Sequence, residues 1–292
     1  MVFYRNILVI LCAALTGCFA KQAQEAPILV LSILPQRWFV QNIADDTVQT
    51  VVLVGSSQNP HDYEPTPFQL STLARAKVWV LSGTEFERGL KPKVEQLFPR
   101  LRIIDGTVGV HFRTLETDGS GNGRHESIDR HSWLGEEPAL IMAAHIKDAL
   151  CFVNEQHAEQ YLKGYQQVQA EIRAEFALWR EKLAGFAGTT VFVYHPAFGY
   201  FLDAFGIKQE AVETGGKEPT PRHLVALIEK ARQRQVRTIF VQAQFPVEAA
   251  GTVASVIGAR LVALDPLDPD WLGTIRKMGE AVQAAQEHTA VY

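Results

Sequence analysis

Cysteine is scarce in this chain: of 292 residues only 3 are cysteine, Cys12, Cys18 and Cys151. The first two fall in the amino-terminal segment, so Cys151 stands alone in the body and no intrachain disulfide can form there. It sits in Ala149-Leu150-Cys151-Phe152-Val153, a setting that suits a small buried hydrophobe rather than a thiolate ligand. Lys/Arg-rich runs are also missing, and the net charge of -4 arises from interspersed signs. The chain therefore has no electrostatic footprint for a polyanion, which excludes nucleic acid as an expected partner. The apolar stretch from Ile7 to Leu15 is too short to span a bilayer as a mature helix. Helix breakers are almost absent from Glu137 to about Leu183, only Pro138 at its start and Gly164 interrupting it, which argues against a loose linker in mid-chain.

What is present is enough apolar material, 47% of the residues, to build one large or two modest cores. Arg5 ahead of the Ile7–Leu15 stretch has the form of a signal peptide over residues 1–17. Leu15-Thr16-Gly17-Cys18 resembles a bacterial lipobox, which implies lipidation of Cys18 as the first mature residue. An ordinary signal peptide cut nearby is the alternative. Several acyl chains supply the multiple anchors that stable membrane attachment requires. Residues 18–27 then form a polar tether, and the mature protein is expected in the periplasm or at the cell surface. Lipid is its only expected contact with the membrane.

The body alternates strand and helix signals, the mark of an α/β fold with parallel sheets. In the first half, strands are expected over Ile28–Ile33, Val48–Val54, Lys77–Ser82 and from Leu101, with helices over Pro35–Ala44, Pro67–Ala74 and Pro92–Phe98. In the second half, strands near Thr190, Ile207, Arg237 and Arg260 alternate with helices near Phe198, Pro221, Pro246 and Asp270. Between the halves, Tyr161, Tyr165, Val168, Ile172, Phe176 and Trp179 keep helical spacing. We therefore expect a first lobe over 28–136, one backbone helix over 137–185 with a kink near Asn154, and a second lobe over 186–292. The Gly106 to Arg130 loop is polar and Gly-rich, and its ordering is a candidate switch. An internal echo, Glu64-Pro65-Thr66-Pro67 and Glu218-Pro219-Thr220-Pro221, follows the second strand of each half. Thr as N-cap with Pro in the first helical position accounts for the pair physically; shared ancestry of the halves and reuse of one start signal both remain open.

Four polar breaks follow β-branched runs and present metal-capable side chains: His61, His131, His195 and Asp265. Ligands of parallel sheets bind beyond the carboxyl ends of the strands, so these donors can meet in a cleft between the lobes. Two come from each half, and an ion held by both would favour closure.

These residues resemble a known family. Asn59-Pro60-His61-Asp62-Tyr63-Glu64-Pro65-Thr66-Pro67, His131-Ser132-Trp133-Leu134, His195-Pro196-Ala197-Phe198-Gly199-Tyr200-Phe201, Gly216-Lys217-Glu218-Pro219-Thr220-Pro221 and Leu264-Asp265-Pro266-Leu267 look like the zinc and manganese solute-binding proteins of bacterial ABC transporters. The resemblance implies two lobes on one backbone helix, a metal at His61, His131, His195 and Asp265, and delivery to an ABC permease in the membrane. It implies a receptor, not an enzyme, acting as a monomer. Two departures stand out. Asp129-Arg130-His131 replaces a common Asp-Pro-His, and in place of a His-rich insertion the loop offers only His111 and His125.

Three imidazoles and one carboxylate suit Zn²⁺, whereas Mn²⁺ favours more oxygen donors. Manganese-binding members usually carry Glu where His195 stands, so zinc is expected and manganese is the alternative. An extracytoplasmic zinc hydrolase would need an open coordination position for water, which four protein donors do not leave. A siderophore or corrinoid receptor would need a wide aromatic cleft, and nothing argues for an adhesin surface. Glu64 and Glu218 are candidates to orient a ligand imidazole through its second nitrogen, unless they only complement helix dipoles. His125 is either an auxiliary metal donor or a solvated loop residue. His145, His157, His223 and His288 are expected at the surface or in packing. Binding should release protons and weaken as pH falls through the histidine range, roughly pH 6 to 7.

Overall fold

The computed structural model describes residues 27–56, 58–115, 128–213, 220–245 and 248–290. The signal segment, Cys18, His125 and Glu218 lie outside them. The first lobe contains β1 (Ile28–Ile33), α1 (Pro35–Ala44), β2 (Gln49–Val54), α2 (Pro67–Arg75), β3 (Val78–Leu81), α3 (Glu85–Leu97) and β4 (Arg102–Asp105). Then come α4 (Glu136–Val153) and α5 (Ala158–Leu183). The second lobe contains β5 (Thr190–Val193), α6 (Gly199–Asp203), β6 (Lys208–Ala211), α7 (Pro221–Gln233), β7 (Thr238–Val241), α8 (Glu248–Ile257) and β8 (Arg260–Ala263), and α9 (Trp271–Ala290) closes the chain.

Each lobe holds a 4-stranded, all-parallel sheet, ordered β2-β1-β3-β4 in the first and β6-β5-β7-β8 in the second. The two sheets repeat one topology, and the Thr-Pro echo occupies equivalent places in it. Thr66 Oγ1 accepts from the Gln69 N–H at 3.3 Å while Gln69 Oε1 accepts from the Thr66 N–H at 2.9 Å, a complete capping box at the start of α2. Thr220 Oγ1 accepts from the His223 N–H at 3.3 Å at the start of α7.

Two expectations are corrected. The third helix begins at Glu85, not Pro92; Pro92 lies inside it on the exposed face. Pro92 has no N–H to offer the Arg88 carbonyl one turn back, a loss that an exposed position tolerates, and Arg88 is exposed. The single backbone helix expected over 137–185 is two helices, broken at Asn154 (φ -147°, ψ 79°) and followed by a 3-10 turn over Glu155–His157. Asn favours such breaks because its side chain competes for backbone hydrogen bonds. Helix α4 packs on β1, β3, β4 and α1, so it serves the first lobe. The long spine is α5 alone, 26 residues packed against α1, α4 and α9. Gly164 permits its contact with α1: a Cβ there would lie 2.6 Å from the Ile43 carbonyl oxygen.

The larger core runs from β1 and β3 through α4 and α5 into α9, and a smaller one around Phe192, Leu227, Ile239 and Val253 fills the second lobe. Helix α9 packs on α5 and α1, placing the Trp271 ring 5.3 Å from Trp38 and 5.1 Å from Phe39. Trp271 Nε1 donates to the Trp133 carbonyl at 2.7 Å, and Trp133 Nε1 to the Pro266 carbonyl at 2.9 Å, so buried indoles stitch the lobes directly beneath the cleft. Among the described residues, no helix is long and apolar enough to cross a membrane.

Candidate metal centre

His61 follows β2, where Asn59 Oδ1 accepts its backbone N–H at 3.0 Å and shapes the turn. His131 precedes the 3-10 turn Ser132–Leu134, its backbone N–H bound to Asp129 Oδ1 at 3.0 Å. His195 follows β5 and is clamped by buried Gln242 at the end of β7, which accepts from its N–H at 3.3 Å and donates to its carbonyl at 2.8 Å.

The three rings converge. His195 Nε2 lies 3.2 Å from both His61 Nε2 and His131 Nε2, and one ligand atom from each residue falls within 4.8 Å of the others. Tetrahedral Zn²⁺ with Zn–N bonds of about 2.0–2.1 Å spaces its nitrogens about 3.3–3.4 Å apart, so the two spacings from His195 suit the ion. Each Nδ1 faces a carboxylate: His61 Nδ1 lies 3.2 Å from Glu85 Oε2, His131 Nδ1 2.8 Å from Asp129 Oδ1, and His195 Nδ1 2.9 Å from Glu213 Oε1. A carboxylate there holds the proton on Nδ1 and leaves the Nε2 lone pair aimed at the centre.

The cavity between the rings is about 10 Å³ and is walled by Pro60, Trp133, Gln244, Phe245, Pro266 and Leu267 as well as the histidines. That is room for one water-sized body, far too little for a siderophore or corrinoid. Phe245 stacks on the His195 ring with centroids 4.3 Å apart. Burial disfavours charge on His195, neighbouring His131 and His61 add to the effect, and its pKa falls well below the ordinary value. Burial acts the same way on His61, but hydrogen bonding and charge from Glu85, with Glu213 and Asp62, outweigh it and raise that pKa. Glu85 and Asp129 are lowered despite burial, chiefly by hydrogen bonds to His61 and His131 respectively.

The structure thus brings His61, His131 and His195 together and does not bring Asp265 into the cluster. Asp265 Oδ1 accepts instead from Gln244 Nε2 at 2.7 Å and from the Leu267 N–H at 2.8 Å. Gln244 Oε1, in the cavity wall, is buried with no hydrogen-bond partner among the described residues. The carboxylates that face the three imidazoles are Glu85, Asp129 and Glu213, whereas Glu64 is exposed. Of these, Asp129 carried a signal in sequence, an Asx residue two positions before its histidine. His145 Nε2 bonds the Val108 carbonyl at 2.9 Å, and His157 stacks on Tyr161, both in structural roles.

Fold and site together define a two-lobed α/β protein whose histidine cluster could hold a metal ion. The family model described as zinc-uptake complex component A, periplasmic, matches residues 29–285, and the chain belongs to that family. Among curated proteins it is similar to the zinc-binding lipoprotein AdcA of Streptococcus pneumoniae, 24% identical over 273 residues, covering 90% of this chain and 54% of the relative. It therefore spans about half of that protein's length. The high-affinity zinc uptake system protein ZnuA of Bacillus subtilis is 24% identical over 253 residues, covering 82% of this chain and 78% of the relative. A crystal structure of ZnuA superposes with a TM-score of 0.81 at 28% identity, covering 89% of this chain and 99% of the other.

Proposed function

We propose that this chain is an extracytoplasmic receptor that captures one zinc ion on His61, His131 and His195 and delivers it to the permease of an ABC uptake system. The observation that carries this reading is the convergence of three imidazole nitrogens, each backed by its own carboxylate. Such a set is nitrogen-rich and preorganised, which favours Zn²⁺ over Mn²⁺. Curated relatives named for zinc binding and zinc uptake support the same ion.

Asp265 is the fourth donor in this reading, reaching the ion after its carboxylate leaves Gln244. Four protein ligands close the coordination sphere against water, as a carrier requires and a hydrolase does not. The first lobe extends through α4, α5 is the spine, and the second lobe follows. The protein acts as a monomer, held at the membrane by lipid on Cys18, with the ion passing to the permease when the lobes part.

Metal analysis and calorimetric titration of the purified chain test this. One tightly held zinc per chain, weakened by each of His61→Ala, His131→Ala and His195→Ala, is the expected result. Zinc uptake untouched by all three substitutions would refute it.

A further inference from the structure

Arg113 lies in the loop ahead of His131 and contributes no metal ligand, yet it ties both halves of the site together. Its Nη1 pairs with Asp129 Oδ2 at 2.7 Å, and Asp129 Oδ1 is the atom that holds His131 Nδ1 at 2.8 Å. Its Nε pairs with Asp203 Oδ2 at 2.8 Å, at the end of α6 in the other lobe. That helix begins four positions after His195. One guanidinium therefore spans the cleft from the segment carrying His131 to the segment carrying His195.

The surroundings are built around this cation. Asp129 is fully buried, and the Arg113 side chain is only 17% exposed. The Asp129 N–H donates to the Arg113 carbonyl at 2.9 Å. The Tyr200 hydroxyl, also on α6, accepts from the Arg113 N–H at 3.0 Å and donates to the Asp129 carbonyl at 2.9 Å. Gly199 leaves the space that the guanidinium occupies: a Cβ there would lie 1.7 Å from Nη1. A buried carboxylate shared between a cation and an imidazole is fixed in position, and a planar guanidinium holds two carboxylates at set angles, which the rotatable donors of an ammonium do not.

We propose that Arg113 is a positioning residue for the metal site, fixing the carboxylate that orients His131 and clamping the second lobe against it through Asp203. The proposal rests on the receptor reading above and adds to it a determinant of how long the ion is held. Removing the clamp frees the lobes to part and loosens His131, so the ion leaves sooner. Outer partners of metal ligands carry about 10–100-fold in affinity, which sets the expected size.

The test follows zinc release from the full chain into excess chelator, with thermal unfolding of the ion-free protein as the folding control. Arg113→Ala should release zinc about 10–100-fold faster, and the ligand-field bands of its cobalt-loaded form should shift as His131 reorients. Asp203→Asn leaves Asp129 and His131 untouched and should speed release with those bands unchanged. Gly199→Ala, by displacing the guanidinium, should mimic Arg113→Ala, and Arg113→Lys should rescue only in part. The double variant Arg113→Ala/Asp203→Asn should be no faster than Arg113→Ala, since both cut one tie. If the wild type holds zinc tightly while Asp203→Asn and Gly199→Ala release it at the wild-type rate, or if the effects of Arg113→Ala and Asp203→Asn add in full, this inference fails alone. A wild-type chain that takes up no zinc overturns it together with the receptor reading.

Discussion

His195 and Glu213 sit opposite each other beyond the ends of two neighbouring parallel strands, Nδ1 to Oε1 at 2.9 Å, because the register that pairs Val193 with Ala211 continues two residues further. Both side chains are buried, and the carboxylate fixes the tautomer that points the Nε2 lone pair at His61 and His131. Replacing Glu213 with Gln keeps the shape and removes the charge. Zinc affinity, read by competition with a chromophoric chelator, should fall by about 10–100-fold. Unchanged affinity would deny Glu213 its orienting role.

Proton release should accompany binding. With its pKa raised, His61 keeps a proton to higher pH than a free histidine, and zinc must displace it. Affinity should therefore decline as pH falls through the raised His61 pKa, while His195, held neutral far below the ordinary range, adds nothing there. In the ion-free chain, His61 contributes stability that is fully present below its unfolded pKa of about 6.5 and is lost as pH rises through the folded value. His195 contributes with the opposite sign, stability present above about 6.5 and lost as pH falls. Calorimetry in two buffers of different ionisation enthalpy measures the protons released; a count of zero near neutral pH would contradict the assignment.

Asp265 should move on loading. Its carboxylate is held by Gln244 and by the Leu267 N–H, and both bonds compete with the ion. X-ray absorption of the zinc-loaded chain should show one oxygen beside three imidazole nitrogens, and Asp265→Ala should lose that oxygen and weaken binding less than His195→Ala does. Four-coordinate zinc with an unchanged spectrum in Asp265→Ala would exclude it as a ligand.

The indole stitching beneath the cleft limits lobe rotation. Trp271 is buried, packs on Trp38 and Phe39, and donates across to the Trp133 carbonyl. Trp271→Ala should cost about 3–5 kcal/mol, the usual range for emptying a buried indole site. Denaturant titration measures that loss. Small-angle scattering should show only a slight contraction of the wild type on zinc addition, and a large one would mean that the stitching does not restrain the lobes.

The three histidines were legible in sequence because a parallel sheet delivers its loops to one edge, and each follows or closes a loop after a β-branched run. The Thr-Pro starts of α2 and α7 were legible because capping is decided within four residues. The break at Asn154 was legible only as a kink, since whether a helix bends or folds back depends on what its two halves pack against. Glu85 and Glu213 carried no local signal, because their place beside His61 and His195 follows from strand order and register.

By itself, then, the amino-acid sequence determined the alternation of elements, the two-lobed α/β plan and the three imidazoles, since periodicity, capping and loop position are properties of short stretches of chain. Tertiary structure alone decided which carboxylate backs each imidazole, that Asp265 rests on Gln244, that α9 returns to the first lobe, and that Arg113 spans the cleft. Those contacts join residues far apart along the chain, and their energies depend on burial and geometry that no local pattern encodes.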